Sequence, residues 1–94
     1  MKAILDNYIE KINELKNSLA PMQKTDDIYP KVRELIGKMQ EEAMATKDEM
    51  LHPTLYNAAA TLATAPEGCS VRQLTEALGD AMAEMEMMKE YFEE

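Results

Sequence analysis

The chain has 94 residues, of which 46% are hydrophobic and 30% are charged, and its formal net charge is −8. This length and composition predict one folded domain over residues 1–94 and exclude a disordered chain. The single Cys69 excludes an internal disulfide, and no apolar run reaches the roughly 20 residues that cross a bilayer.

The charge is concentrated in the second half of the chain. Residues 1–47 carry eight Lys and Arg against eight Asp and Glu, whereas residues 48–94 carry two against ten. An acidic half-chain repels phosphate groups, so direct binding of nucleic acid or of an anionic membrane is not expected. We expect a protein partner and, because the N-terminal segment is too charged for a signal peptide, a cytoplasmic location.

Two amphipathic helices are predicted in the first half, over residues 2–20 and 30–51. Their apolar side chains alternate at three- and four-residue spacing, the pattern of a helix with one buried face. Pro21 ends the first helix, and Pro30 suits the first turn of the second. The predicted buried stripes are Leu5, Tyr8, Ile12, Leu15 and Leu19 in the first helix, and Val32, Leu35, Ile36, Met39, Ala43, Met44 and Met50 in the second.

The second half is predicted to form a short helix over residues 54–65 and a long one over residues 70–92. His52 and Pro53 break the pattern before the short helix, and a turn signal at residues 66–68 follows it. Ser70 and Gln73 have the spacing of a capping box at the start of the long helix. An apolar seam then runs through Val71, Leu74, Leu78, Ala81, Met85, Met88 and Phe92.

These elements predict an all-α fold, a small helical bundle of three to four helices whose last helix is long and acidic. Such a bundle is closed either by its own helices or by self-association, because seams of this spacing often form coiled-coil contacts between chains. A homo-oligomer is therefore an expected state.

Residues 72–88, RQLTEALGDAMAEMEMM, resemble a helix-turn-helix DNA-binding unit. The matching apolar and glycine positions are Leu74, Leu78, Gly79, Met85 and Met88. The sequence departs from the motif at Thr75 and Asp80, and its recognition helix would carry carboxylates toward phosphates. The resemblance implies a degenerate DNA binder, whereas the uninterrupted apolar seam predicts one continuous helix.

Two surfaces of the last helix are candidate binding sites. The first is the Met-rich seam, whose predicted partner-binding residues are Leu78, Met82, Met85, Met88 and Phe92. Thioether side chains adapt to varied partners, although the same methionines can instead fill a core. The second is an acidic face, which spaces carboxylates along a helix as a nucleic-acid strand spaces phosphates. Its residues are Glu76, Asp80, Glu84, Glu86 and Glu90.

An enzymatic function is not expected. The chain has one His and one Cys, no Gly-rich phosphate loop and no zinc-ligand spacing, so no cofactor or metal is predicted. The last helix also carries a methionine cluster, which would need further ligands to hold Cu(I). The cluster consists of Met82, Met85, Met87 and Met88. His52 is expected to close the helix that precedes it rather than to bind a metal.

The first functional hypothesis is a non-enzymatic protein-interaction module, meaning an adaptor, a chaperone-like protein or a regulatory subunit that docks through the Met-rich seam. The alternative is a small acidic inhibitor, such as one encoded by a phage, that blocks the basic nucleic-acid site of a target protein. A degenerate helix-turn-helix DNA binder is the third hypothesis.

Overall fold

The computed structural model describes residues 2–92, and within them it contains four α-helices and no strand. The predicted all-α bundle is confirmed. The helices are α1 (Lys2–Leu19), α2 (Tyr29–Ala45), α3 (Leu51–Leu62) and α4 (Val71–Lys89). None of these helices is both long and apolar enough to cross a membrane.

The four helices alternate in direction, with α3 packed between α2 and α4, and α4 packed along α1. At one end of the bundle, the Tyr8 hydroxyl of α1 donates to Glu42 of α2 over 2.6 Å. At the other end, the Tyr29 hydroxyl donates to the carbonyl oxygen of Ala65 over 2.8 Å. The backbones of α1 and α2 approach each other at few points, so a groove lies open between these two helices.

The core is built from the apolar stripes of all four helices, largely as their spacing predicts. Two stripe predictions in the second helix are wrong, because Met44 is 72% exposed and Met50 is 37% exposed. Met44 follows the buried Ala43, and one residue turns a helix by about 100°, away from the core. Met50 lies beyond the end of α2.

The connection between α2 and α3 explains why the second helix is shorter than the predicted range to residue 51. Thr46 has extended dihedral angles, with φ −74° and ψ 145°, so the helix stops there. The Asp48 carboxylate then accepts the backbone N–H groups of Met50 and Leu51 at 2.9 and 2.8 Å. This cap starts α3 earlier than the predicted residue 54, and Pro53 is tolerated in the first turn.

His52 closes α2, as expected, although it belongs to the following helix. Its Nδ1 lies 2.6 Å from the carbonyl oxygen of Ala43 in the last turn of α2. Because a carbonyl oxygen only accepts, Nδ1 is the donor in this contact. The side chain thereby satisfies one of the carbonyls that a helix end leaves open.

α4 begins at the predicted capping box. The Gln73 N–H donates to the Ser70 hydroxyl over 3.1 Å, and the Ser70 N–H donates to the Gln73 side chain over 3.0 Å. The helix continues through Gly79 to Lys89 without a turn, so the helix-turn-helix interpretation of residues 72–88 is wrong. The predicted helix extended to Phe92, which instead follows a closing turn and packs on the core.

Candidate functional site

The Met-rich seam lies mainly in the core of the chain. Leu78 and Met85 are fully buried and Phe92 is 5% exposed, whereas Met82 and Met88 are partly buried at the edge of the core. A single chain therefore covers the seam without a second subunit. Of the five predicted partner-binding residues, Met82 and Met88 keep surface that a partner can reach.

The acidic face divides between two sides of α4. Glu76, Asp80, Glu86 and Glu90 are exposed, and Glu84 is half-buried. Successive residues of a helix turn by about 100°, so Glu86 lies about 200° around the axis from Glu84. The side of α4 that faces α3 carries Glu76, Asp80 and Glu84, which line a surface depression between the two helices. Neither Glu86 nor Glu90 lines this depression.

We name this surface depression the α3–α4 groove. Its wider part has a volume of about 490 Å³, and a narrower part of about 200 Å³ continues it toward the start of α4. The α4 wall is formed by Gln73, Glu76, Ala77, Asp80, Glu84, Met87 and Met88. Three of the five residues of the predicted acidic face and one residue of the predicted Met-rich seam, Met88, thus line one groove.

The opposite wall of the α3–α4 groove is uncharged. It is formed by Pro53, Thr54, Asn57, Ala60 and Thr61 of α3, with Thr64 and Ala65 of the following turn. Residues 51–66 contain no Asp, Glu, Lys or Arg. The sequence-based prediction of a short helix over residues 54–65 did not identify this wall. The absence of charged residues from 51–66, on a helix that is only partly buried, could have indicated this wall.

Met87 is the most exposed apolar residue of the α4 wall, with 63% of its surface accessible. It lies three residues after Glu84 and two before Lys89, on the polar side of the helix. The partly buried Met88 adjoins it. Water-exposed thioethers gain apolar burial when a partner covers them, so this pair is the candidate anchor point of the groove.

Glu84 is held in the groove by a neutral partner. The Thr61 hydroxyl lies 2.8 and 3.0 Å from the two carboxylate oxygens, and it donates its one proton to this group. Among the described residues no Lys, Arg or His forms an ion pair with Glu84. The negative charge of Glu84 is therefore not neutralised by a cation among the described residues.

A second groove, the α1–α2 groove, contains cations that contact other side chains of its own lining. Its two parts, of about 180 and 460 Å³, share Lys11 and Lys38 in their lining. Lys38 Nζ lies 3.2 Å from Glu34, and Lys11 Nζ lies 5.8 Å from the centre of the Tyr8 ring. Burial, followed by the hydrogen bond to Glu42, raises the pKa of Tyr8 above its ordinary value.

No other ligand site stands out among residues 2–92. In that range no three His, Cys, Asp or Glu side chains are grouped so that they could hold a metal ion. Every buried side-chain nitrogen or oxygen that the structure describes has a hydrogen-bond partner. Comparison of the chain with known protein families, curated proteins and solved structures finds no match.

Proposed function

We propose that the protein is a non-enzymatic protein-interaction module, of the adaptor, chaperone-like or regulatory type, and that it docks a partner protein in the α3–α4 groove. The observation that carries the proposal is the exposed Met87 beside Met88, opposite a wall without charged residues. Apolar surface that is rimmed by polar groups is typical of docking sites.

The proposed docking surface lies at the margin of the predicted Met-rich seam rather than at its centre. Leu78, Met85 and Phe92 support the α4 wall from inside the core and have too little exposed surface to contact a partner. Met88 remains in the surface, and Met87 is added to it. Met82 lies outside the lining of the groove.

A second candidate function is the acidic inhibitor that covers a basic nucleic-acid site. The observation that favours it is the exposure of Glu76, Asp80, Glu86 and Glu90 on one helix whose only basic residues are Arg72 and Lys89. An inhibitor of this kind would use both sides of α4, because phosphate mimicry depends on the whole acidic face. The groove hypothesis does not require Glu86 or Glu90.

The test is affinity capture from the native host's lysate with the tagged protein and two methionine variants. Met87→Asp places a charge in the groove, and Met44→Asp makes the same change at another exposed methionine, on α2. We expect a partner that survives high salt, is retained by Met44→Asp and is lost with Met87→Asp, because apolar contacts are not screened.

A third variant separates the two candidate functions. Glu86→Lys with Glu90→Lys reverses the charge outside the groove. Loss of a nucleic-acid enzyme with this variant, together with its release at high salt, would favour the inhibitor. Retention of one specific partner by Met87→Asp would rule out the groove as the docking surface.

A further inference from the structure

The α4 wall of the groove presents carboxylates at a regular interval. Glu76, Asp80 and Glu84 are spaced four residues apart, which corresponds to about 6 Å along the helix axis. No Lys or Arg lines either part of the groove. The row therefore forms a negatively charged edge, the carboxylate edge, which is about 12 Å long and lies beside Met87 and Met88.

Few cations of the described residues neutralise the negative charge of this edge. Arg72 lies 3.3 Å from Glu76, but both side chains are well exposed, so the pair is weak. Asp80 forms no ion pair with any described residue, and Glu84 is bound by a neutral hydroxyl. A partner that brings cations would therefore find carboxylates with little competition.

The opposite wall is shaped for another helix. Pro53, Asn57, Ala60 and Thr64 follow one another at intervals of four, three and four residues, so they form a single ridge along α3 and the turn after it. Their side chains are small or uncharged, which allows a helix axis to approach closely. The ridge spans about 16 Å, or roughly three helical turns.

We propose that the occupant of the α3–α4 groove is a cationic amphipathic helix of a partner protein. Its Lys or Arg residues, repeated at four-residue intervals, lie along the carboxylate edge, and an apolar side chain packs between Met87 and Met88. This inference rests on the proposed docking function and adds the chemistry of the partner.

A second copy of the chain does not carry the required pattern. No two of its Lys and Arg residues are three or four positions apart. On α2, Lys38 already pairs with Glu34, and Arg33 pairs with Glu67. Nucleic acid is disfavoured because its phosphates would face the carboxylate row. Charge complementarity thus selects a basic partner helix over both.

The probe is a synthetic fluorescein-labelled peptide of about 14 residues, a length at which an isolated helix is marginal and binding can order it. It carries Lys at three positions four residues apart and Leu on the adjoining face. A second peptide has Gln in place of each Lys. Fluorescence anisotropy measures the Kd of each peptide for the full chain at low and moderate salt.

Two double variants with the same change in net charge provide the decisive comparison. Asp80→Asn with Glu84→Gln removes charge inside the groove and keeps an acceptor for Thr61, whereas Glu86→Gln with Glu90→Gln removes it outside. We expect the Kd of the Lys peptide to rise about tenfold with the first pair and less than about twofold with the second. The Gln peptide should bind at least about tenfold more weakly than the Lys peptide.

Four outcomes would overturn the inference. They are equal weakening by the two double variants, equal binding of the two peptides, no binding of the Lys peptide, and a dimer in light scattering that Met87→Asp converts to monomer. If the Lys peptide fails while Met87→Asp still abolishes capture of the native partner, the partner chemistry is wrong and the docking function stands. If Met87→Asp also leaves capture intact, both proposals fall. Thermal unfolding of each variant shows whether it is folded.

Discussion

The two grooves of this bundle have similar dimensions but opposite electrostatic design. In the α1–α2 groove, cations and carboxylates alternate, and Lys38 and Tyr8 both contact Glu side chains of α2. In the α3–α4 groove, one wall carries three carboxylates and the other carries no charge. In the first groove Lys38 pairs with Glu34, whereas no Lys or Arg lines the second.

This difference shows that the presence of a groove between helices is weak evidence for a binding site. Both depressions have apolar residues in their lining, including Leu15 and Leu35 in the α1–α2 groove. What distinguishes the α3–α4 groove is the combination of exposed thioether surface with unneutralised charge of one sign. Substitutions in each groove test this difference.

We expect the largest change in the free energy of unfolding from a substitution in the core behind the α3–α4 groove. Met85→Ala should lower the free energy of unfolding by about 2–5 kcal/mol, because Met85 is fully buried and its removal leaves a cavity. Met87→Ala, two residues away and exposed, should change it by less than about 0.5 kcal/mol. Urea denaturation followed by circular dichroism measures both. Similar losses for the two variants would mean that Met87 belongs to the core.

An intermediate effect is expected in the α1–α2 groove, where Tyr8→Phe deletes the hydrogen bond to Glu42. The free energy of unfolding should fall by about 1–2 kcal/mol at neutral pH, because the bond reaches a charged acceptor.

The burial of Tyr8, together with this hydrogen bond, also makes stability depend on pH. The pKa of Tyr8 is raised in the fold, so its contribution is present below the ordinary value of 10.0 and is lost as the pH rises beyond it. Denaturant titrations in alkaline buffers should show a smaller loss of stability for Tyr8→Phe than for the natural chain. Parallel curves for the two proteins would contradict this assignment.

The smallest effects are expected to have opposite signs in the two grooves. Asp80→Lys should raise the free energy of unfolding by about 0.5 kcal/mol, because the new cation lies one turn from both Glu76 and Glu84. Lys38→Glu should lower it by about 0.5 kcal/mol, because it replaces the pair with Glu34 by a repulsion. Thermal melts at low salt resolve the signs. A loss of stability with Asp80→Lys would show that the carboxylate of Asp80 does not destabilise the fold through repulsion from Glu76 and Glu84.

Much of the architecture followed from local sequence patterns. The three- and four-residue spacing located the four helices and most of the core, including Leu5, Ile12 and Leu78. The capping box at Ser70 was predictable because its two hydrogen bonds join residues three positions apart. The helix ends near Asp48 were less predictable, because two adjacent helical patterns merge there and the cap comes from a side chain between them.

The candidate site was only half visible in the sequence. The spacing of Glu76, Asp80 and Glu84 predicted a shared acidic edge, and the methionines marked α4 as a docking element. Periodicity could not tell which part of the Met-rich seam stays exposed, because that depends on how α1 and α3 cover α4. Met87 was predicted only as one member of the methionine cluster, and the sequence did not show that this residue lies outside the core.

The helical class, most of the buried stripes and the concentration of negative charge in residues 48–94 follow from the sequence, because these are properties of single helices and of composition. The tertiary structure alone decided that Met85 is core and Met87 is surface, and that the uncharged face of α3 stands opposite the carboxylates of α4. Such pairings depend on which helices become neighbours, and neighbours are chosen by the packing of the whole bundle rather than by any one segment.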